Sequence, residues 1–378
     1  MFLLKNATVV SPSEKIVNCF ILIEDGRIAK ISRDEVSATE TIDCVGSTVY
    51  AGFIDVHNHG AVGLDVNEAN AESLKTVGEF LVRNGVTAWL PTFVPDSDDV
   101  YQNVINEIEK CIYNQQNAGQ SQIVGVHYEG VFANPKMSGA LRPEYFKAYS
   151  GKEISELPKL KNGVHFTTLA PEMENGIELI KELTAQGWVS SIGHTNANIE
   201  TLNAAKAAGA KHITHFFNAM SGLHHRDVGV VGFGLTNDDV TFDIIADKIH
   251  VNPEVLKFAI LAKGIDKVSL ISDCVAPTGL GDGEFQLWGE KISVVNGQTK
   301  NERGSIAGSV ITMLDAVKNL LSLGFSEVEI SRMASLNPAK LLGIDKDFGS
   351  IEVGKRADLV ALDEDGNVKF SMVGGKIV

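Results

Sequence analysis

The sequence is poor in cysteine and in positive charge, and both deficits restrict the class of protein it encodes. It holds 4 cysteines in 378 residues, with no Cys-x-x-Cys pair and no regular spacing. Because disulfide-stabilised secreted domains are dense in cysteine, this usage favours reduced thiols in a cytoplasmic protein. The 33 Lys and Arg residues are outnumbered by 48 Asp and Glu residues, so the formal net charge is −15. Since nucleic acids and anionic membranes attract basic surfaces, we expect neither as a partner.

Long apolar runs are also missing. No stretch approaches the roughly 18 consecutive apolar residues that a membrane-spanning helix needs. The opening residues Met1 to Lys5 lack the basic segment and the cleavage site of a signal peptide, which again favours the cytoplasm. Apolar residues make up 44% of the chain and charged residues 21%, which are ordinary proportions for a globular protein. We therefore expect one large α/β domain with a smaller accessory part.

Both ends of the chain have the pattern of short β-strands. Asp25-Gly26 joins two apolar runs near the N-terminus, and Asp365-Gly366 joins two more near the C-terminus. An Asp-Gly pair between apolar runs is a strong signal for a β-hairpin. The pattern predicts a small β-sandwich module formed by both termini, residues 1–50 and 345–378.

Residues 51–344 have a different pattern, in which short apolar runs alternate with segments of helical periodicity. Leu74, Val77 and Leu81, for example, share one helical face, and Gly85 follows as a stop signal. Eight apolar runs lie near residues 53–57, 87–92, 123–129, 164–170, 189–194, 212–217, 241–246 and 268–273. Strands that alternate with helices imply a parallel sheet, and eight such units predict an α/β fold with a (β/α)8 TIM-like barrel. A hairpin-like insert around residues 285–296, which carries Trp288, follows the last run.

Side chains able to bind a metal lie where these runs end. They are His57 and His59 at the end of the first run, Glu129 at the end of the third, and His194, His215 and Asp273 toward the ends of the fifth, sixth and eighth. His127, in the third run, faces the same side as Glu129 and is expected to lie behind the ligands. The carboxyl ends of barrel strands converge on one face, where catalytic residues lie. Imidazole nitrogens and carboxylate oxygens are the ligands of catalytic Zn²⁺ and Fe²⁺ sites. The pattern predicts a divalent transition-metal site, whereas His165 and His212 lie at strand starts and are expected to be structural.

Several motifs along the chain can be compared with those of known families. Residues 52–60 read Gly-Phe-Ile-Asp-Val-His-Asn-His-Gly, and residues 354–360 read Gly-Lys-Arg-Ala-Asp-Leu-Val. Between them lie His127-Tyr128-Glu129-Gly130, Leu169-Ala170-Pro171-Glu172, Gly193-His194-Thr195, residues 214–220, His224-His225-Arg226, Ala246-Asp247 with His250, Ser272-Asp273 and Ala307-Gly308-Ser309. On the first two stretches the chain resembles the amidohydrolase superfamily, whose first-strand motif and C-terminal β-module they match. On the other motifs, which occur in the family's order and cover nearly the whole chain, it resembles the N-acetylglucosamine-6-phosphate deacetylase family within that superfamily.

The resemblance implies a hydrolase that releases acetate from the linear amide of N-acetylglucosamine 6-phosphate. Glu129, His194 and His215 would be the main metal ligands. His57 and His59 would be available for a second ion, so one or two zinc or iron ions are expected per chain. Asp273 would be general base and then general acid, the proton transfers that amide hydrolysis requires.

The resemblance also implies how the sugar phosphate is bound. His250 would polarise the acetyl carbonyl. Asn218, the backbone of Ala219 and the loop at Ala140 would contact the substrate. Arg226 would hold the phosphate, and in this family that arginine can come from the partner subunit of a homodimer.

Three positions depart from the family's pattern, all on the sugar side of the site. Val131 stands where the family usually has proline, Leu141 where it usually has histidine, and Val228 where it prefers proline. Leucine can neither donate nor accept a hydrogen bond, so one substrate contact is missing or comes from elsewhere. N-acetylgalactosamine 6-phosphate or an unphosphorylated sugar therefore stays open as the substrate.

Two other functions are less well supported by the sequence. A cyclic-amide amidohydrolase of this superfamily usually carries a carboxylated lysine on its fourth strand, but the run 164–170 contains no lysine. A barrel that serves only as a scaffold should have lost a ligand or the base, and none of these residues is missing.

Overall fold

β-Strands form both ends of the chain and alternate with helices in its middle. A computed structural model describes residues 1–115 and 119–378. The strands, numbered in chain order, are β1 Phe2–Val10, β2 Lys15–Glu24, β3 Arg27–Ser32, β4 Glu40–Asp43, β5 Thr48–Ala51, β6 Phe53–Asn58, β7 Gly60–Ala61, β8 Leu64–Asp65, β9 Val86–Phe93, β10 Gln122–Ile123, β11 Gly125–Phe132, β12 Val164–Leu169, β13 Val189–Ile192, β14 His212–Ile213, β15 Thr241–Ile245, β16 Val268–Ile271, β17 Gly283–Leu287, β18 Glu290–Val295, β19 Gln298–Asn301, β20 Leu359–Leu362, β21 Val368–Val373 and β22 Lys376–Ile377.

Most helices lie between barrel strands. The α-helices are α1 Ala71–Arg83, α2 Asp98–Asn114, α3 Glu153–Glu156, α4 Gly176–Ala185, α5 Ile199–Ala208, α6 Gly229–Thr236, α7 Pro253–Lys263, α8 Met313–Ser322, α9 Glu327–Ser331 and α10 Asn337–Leu341. Shorter 3₁₀ turns span Val66–Glu68, Pro135–Met137, Pro143–Tyr145 and Ile265–Lys267, and a π-helical turn spans Arg332–Leu336. Within residues 1–115 and 119–378, every helix is too short or too polar to cross a lipid bilayer.

The two termini meet in one sheet. Its strand order is β22-β21-β20-β5-β1-β2-β3, with β4 also paired to β1. The C-terminal strand β20 runs antiparallel to β5, and β5 runs parallel to β1. Buried side chains from both ends, among them Leu4, Ile21, Val49, Leu359 and Met372, form a hydrophobic cluster of their own. The accessory module therefore depends on both ends of the chain.

The barrel follows the predicted runs. In the described part of the chain, its strands are neighbours in the order β6-β9-β11-β12-β13-β14-β15-β16, and every pair is parallel. The ring closes where Asp273 N donates to His57 O at 3.0 Å and His59 N donates to Cys274 O at 2.8 Å. The closed ring of eight parallel strands confirms the predicted (β/α)8 barrel. Its closure also places the first and the eighth apolar runs of the sequence next to each other.

Helix α1 illustrates how local sequence sets the helices around the barrel. Asn70 caps its start by accepting a hydrogen bond from Ser73 N. Leu74, Val77 and Leu81 are buried on one face, as their spacing predicts. The amphipathic pattern thus fixes which face of the helix covers the sheet.

The insert after β16 is larger than the hairpin predicted near residues 285–296. β17, β18 and β19 form a three-stranded antiparallel sheet, because Gln298–Asn301 adds a third strand. That strand reads Gln-Thr-Lys-Asn, so it lacks the alternating apolar residues from which a strand is recognised. The insert brings Trp288 to the carboxyl ends of the barrel strands, where its ring lies 5.3 Å from that of His59.

Candidate metal centre and active site

Six buried side chains meet at the carboxyl ends of the barrel strands. They are His57, His59, Glu129, His194, His215 and Asp273. Glu129 lies within β11, while His194, His215 and Asp273 each follow the end of their strand by two residues. The structure thus brings together the residues that the sequence pattern singled out.

The backbone turns sharply at three of these positions. His194, His215 and Asp273 have φ values of 47°, 35° and 50°, in the left-handed region that non-glycine residues rarely adopt. In an extended strand the side chains would alternate between the two faces. The left-handed residue re-aims each of the three side chains toward the common site. Such backbone strain is typical of functional sites.

Glu129 belongs to two groups of candidate ligands, one with His194 and His215 and the other with His57 and His59. Its Oε1 atom is 3.1 Å from His194 Nε2 and 3.0 Å from His215 Nε2, and these two nitrogens are 3.1 Å apart. Its Oε2 atom is 3.2 Å from His59 Nε2, which in turn lies 3.0 Å from His57 Nε2. Each group of three offers one donor atom per residue within metal-binding range, and the two groups share Glu129.

The donor atoms fit a divalent cation. His194 Nδ1 donates to Met137 O at 2.9 Å and His59 Nδ1 donates to Thr92 O at 3.1 Å. In a neutral ring this leaves the lone pair on Nε2, the atom that faces the site. Lone pairs that converge on a carboxylate in a buried space need a positive ion between them, and a second hydrogen bond to a backbone carbonyl is typical of metal-binding histidines.

The two carboxyl groups are held in their charged forms. Burial alone would raise the pKa of Glu129, but attraction to His57 and hydrogen bonds from His194 and His215 bring it well below its usual value. The pKa of Asp273 is likewise lowered against burial by His57 and His59, whose Nε2 atoms lie 3.4 and 3.3 Å from its Oδ1. A charged Asp273 beside the ligands can accept a proton.

His250 lies at the same cavity with one nitrogen already engaged. Its Nδ1 atom is 2.6 Å from Asp247 Oδ2. Burial lowers the pKa of His250, but the hydrogen bond and charge of Asp247 outweigh it and raise the pKa. The ring can therefore act as a hydrogen-bond donor through Nε2.

A cavity of about 320 Å³ opens above these groups. Besides the ligands, its lining includes Ala140, Asn218, Ala219 and His250, which the family resemblance implies as substrate contacts. A larger groove of about 1140 Å³ lies near Lys211 and Thr241, at the opposite ends of the strands. The chemistry of the metal centre favours the smaller cavity as the active site.

Arg226 is not brought to this cavity within its own chain. It lies on the exposed loop before α6, with its Nη1 atom 2.6 Å from His225 Nε2. It is absent from the residues that line the cavity.

Two further residues, Asp55 and Glu172, support the site without having been assigned a role from the sequence. Asp55 is fully buried and accepts hydrogen bonds from Ser272 Oγ at 2.6 Å and Asn58 Nδ2 at 3.0 Å, so it ties β6 to the residues after β16. Glu172 accepts from Thr195 Oγ1 at 2.5 Å, next to His194. An acid inside the apolar run Phe53 to Val56 was a visible signal for Asp55, because buried carboxylates need partners.

Histidines 127, 165 and 212 lie outside the donor clusters. His127 contacts Thr168 Oγ1 at 2.8 Å and packs beneath His57. His165 accepts from Leu160 N, and His212 pairs with Asp243 at 2.9 Å. Burial lowers the pKa of His127 well below its usual value, which keeps that ring neutral.

Comparison with known proteins places these features in a family. The model of the amidohydrolase family matches residues 48–378. The chain is 33% identical to N-acetylglucosamine-6-phosphate deacetylase of Bacillus subtilis (strain 168), covering 99% of this chain and 96% of that protein. It is 34% identical to N-acetylgalactosamine-6-phosphate deacetylase of Escherichia coli O157:H7, covering 94% and 93%. The crystal structure of N-acetylglucosamine-6-phosphate deacetylase from Pasteurella multocida superposes with a TM-score of 0.92 at 29% identity, covering 100% and 99% of the two chains.

Proposed function

The chain belongs to the amidohydrolase family, and from that premise we propose that it hydrolyses N-acetylglucosamine 6-phosphate to glucosamine 6-phosphate and acetate. The observation that carries the proposal is the cluster of Glu129, His194 and His215 beside a charged Asp273, at the floor of a sugar-sized cavity. Full-length relatives with that activity in their names support the same reaction.

We propose zinc or iron as the metal, held by Glu129, His194 and His215, with His57 and His59 available for a second ion. Nitrogen and oxygen donors in this combination suit either metal. When bound, such an ion polarises the amide carbonyl and lowers the pKa of the attacking water.

Asp273 moves the proton in this proposal. Its carboxylate accepts a proton from the attacking water and delivers it to the amine as the carbon–nitrogen bond breaks. Its lowered pKa keeps the carboxylate ionised at neutral pH, as a general base must be. His250, oriented by Asp247, donates from Nε2 to the acetyl oxygen as negative charge develops there.

The sugar phosphate lies toward Asn218, the backbone of Ala219 and Ala140 in this proposal, and its phosphate meets Arg226 of the partner subunit. A guanidinium group presents the planar fork that suits phosphate oxygens. The exposure of Arg226 in its own chain supports a homodimer in which the loop reaches across.

An apolar surface beside that loop also supports a homodimer. Leu223 on the loop is 58% exposed and packs near Gly232 of α6. Helix α6 packs against α7, where Phe258 and Leu261 are 57% and 58% exposed. Phe258 and Leu261 are three positions apart and therefore share one face of α7, and a group of large exposed apolar side chains is typical of an interaction surface.

N-acetylgalactosamine 6-phosphate is the second candidate substrate. Leu141 is buried at the cavity and cannot hydrogen-bond to a sugar hydroxyl. A relative that acts on the galactosamine epimer by its name is about as similar to this chain as the glucosamine relatives. The cytoplasm is the proposed location, supported by the free thiols of Cys19, Cys44, Cys111 and Cys274.

A panel of four substrates tests the proposal. N-acetylglucosamine and N-acetylgalactosamine, each with and without 6-phosphate, are assayed for acetate release with metal-loaded and chelator-treated protein. We expect kcat/KM for the preferred phosphorylated epimer to exceed that of its unphosphorylated form by at least about 100-fold, because the site's phosphate contacts would be left unpaired. Chelation should abolish turnover. Acetate release from none of the four sugars, or undiminished turnover without metal, would contradict the proposal.

A further inference from the structure

Trp288 occupies a backbone position that favours asparagine. β17 and β18 pair Leu287 with Glu290, so Trp288 and Gly289 form a two-residue turn. Their φ values are 53° and 79°. A two-residue turn with both φ values positive favours Asn-Gly or Asp-Gly, and a bulky side chain at its first position is strained.

Two other hairpins of this chain have Asp or Asn at the first position of the turn, where these residues tolerate a positive φ. Asp25-Gly26 joins β2 to β3, and Asn296-Gly297 joins β18 to β19, with first φ values of 49° and 51°. Among these three turns, Trp288 alone contributes to the lining of the active-site cavity. Val62, in the two-residue turn between β7 and β8, also has a bulky side chain at a positive φ of 49°, but it does not line the cavity. The position of Trp288 at the cavity, together with its strained backbone, therefore indicates a function for its side chain.

The indole ring is held in one orientation. Its Nε1 atom donates to Asp65 Oδ2 at 3.0 Å, and its ring meets the His59 ring edge-on at a centroid distance of 5.3 Å. The side chain is half-buried and shares the lining of the cavity with Ile306. It presents a rigid apolar surface next to polar ligands.

The position of Trp288 relative to the ligands indicates which part of the substrate it meets. His194 and His59 approach different oxygens of Glu129. Ala219 lies on the His194 side, since a Cβ atom at Gly139 would be 3.6 Å from His194 Cε1 and 3.8 Å from Ala219 Cβ. Trp288 lies on the His59 side.

An amide joins two different groups. The nitrogen carries the sugar, and the carbonyl carbon carries the acyl chain on the other side of the bond that breaks. With the sugar phosphate toward Asn218 and Ala219, as proposed above, the acyl chain extends toward His59 and Trp288.

We infer that Trp288 forms the wall that contacts the N-acyl chain and limits its length to acetyl. This inference rests on the proposed function. It assigns Trp288 as a residue that determines acyl specificity, with no part in the proton transfers.

The test is a series of N-formyl, N-acetyl, N-propionyl and N-butyryl glucosamine 6-phosphates. For the wild type, we expect kcat/KM to fall at least about tenfold from acetyl to butyryl, since added methylenes do not fit a closed apolar wall. Trp288→Ala should raise the butyryl-to-acetyl ratio of kcat/KM by about tenfold or more. Trp288→Phe should keep the ratio within about threefold of the wild type, because most of the wall remains.

Trp288→Asn separates specificity from folding. Asparagine suits the turn, so this variant should keep the melting temperature of the wild type more closely than Trp288→Ala does and still relax the acyl preference. Asn296→Ala is the matched control, because it alters the other turn of the same insert and should leave the ratio unchanged.

Each outcome decides one of the two claims. An unchanged butyryl-to-acetyl ratio in folded Trp288→Asn, or an equal loss for every acyl chain, would overturn the role of Trp288. A wild type that hydrolyses none of the four compounds would instead overturn the proposed function. A relaxed ratio in Trp288→Asn with the ratio of Asn296→Ala unchanged supports the inference.

Discussion

The side chains around Glu129 are oriented by atoms outside the cavity. Backbone carbonyls of Met137 and Thr92 engage the Nδ1 atoms of His194 and His59. The orientation of Asp273 is fixed by the left-handed backbone at this residue and by the hydrogen bond that its backbone N–H donates to His57 O. These contacts turn Nε2 and carboxylate oxygens toward one space, which is the arrangement that metal binding and proton transfer both need.

Replacing Asp273 by asparagine should separate metal binding from proton transfer. We expect Asp273→Asn to keep its metal, because Glu129, His194 and His215 remain, and to lose at least about 100-fold in kcat, because asparagine cannot accept the proton. Steady-state kinetics and metal content by mass spectrometry measure the two effects. Asp266→Asn, on an exposed turn before β16, is the control. Turnover of Asp273→Asn near the wild-type rate would remove the assigned role.

The side chain of Lys263, at the end of α7, forms hydrogen bonds with the carboxyl end of α6. Lys263, the last residue of α7, donates from Nζ to Gly234 O and Asn237 O at 2.6 Å each, at the end of α6. A cation is favourable near the carboxyl end of a helix. Burial nevertheless lowers the pKa of Lys263 to about 8, below its ordinary value of 10.5.

The stability of the protein should therefore depend on pH through Lys263. Between pH 8 and 10.5 the unfolded chain binds more protons at this residue than the folded chain, so its contribution to the free energy of unfolding rises with pH. Urea unfolding of wild type and Lys263→Met across this range should show the difference between them shifting in favour of the wild type. Lys257→Met, on the same helix but exposed, should show no such trend. A difference that stays constant with pH would contradict the assignment.

At the scale of the whole molecule, charge and assembly are linked. The chain has a net charge of −15, and the proposed substrate is a phosphate ester. The cavity itself adds the carboxylates of Glu129 and Asp273. A phosphate needs local positive charge in such a field. Arg226 is exposed in its own chain, so a second copy is the proposed source of that charge.

Mixing two inactive variants tests this assembly. Asp273→Asn lacks the base, and Arg226→Ala lacks the phosphate contact that it lends to its partner. In mixed dimers, the site that retains Asp273 also receives Arg226, so an equal mixture should recover about one quarter of wild-type activity after subunit exchange. The measurement is acetate release before and after refolding the variants together. The double variant mixed with Asp273→Asn should stay inactive, and activity equal to the mean of the separate variants would contradict a shared site.

The barrel and the face on which the candidate ligands lie were accessible from local sequence pattern, whereas the roles of the individual ligands were implied by the family resemblance. Apolar runs alternating with amphipathic segments such as Leu74 to Leu81 are set by the periods of strand and helix, and a residue at the end of a parallel strand must lie on the active face. His57, Glu129 and Asp273 could thus be assigned to one face before their distances were known. The third strand of the insert, Gln298–Asn301, could not be recognised, since it has no apolar alternation.

The geometry that makes these residues a site depends on contacts between distant segments. Carbonyls far from His194 and His59 in sequence select the nitrogen that faces the metal, and the closure of β16 onto β6 places Asp273 beside them. The strained turn at Trp288 and the exposure of Arg226 are likewise invisible in a linear pattern, because both depend on what packs around them. Local periodicity dictates the elements and the ends at which chemistry lies, whereas long-range packing dictates the direction in which each side chain points.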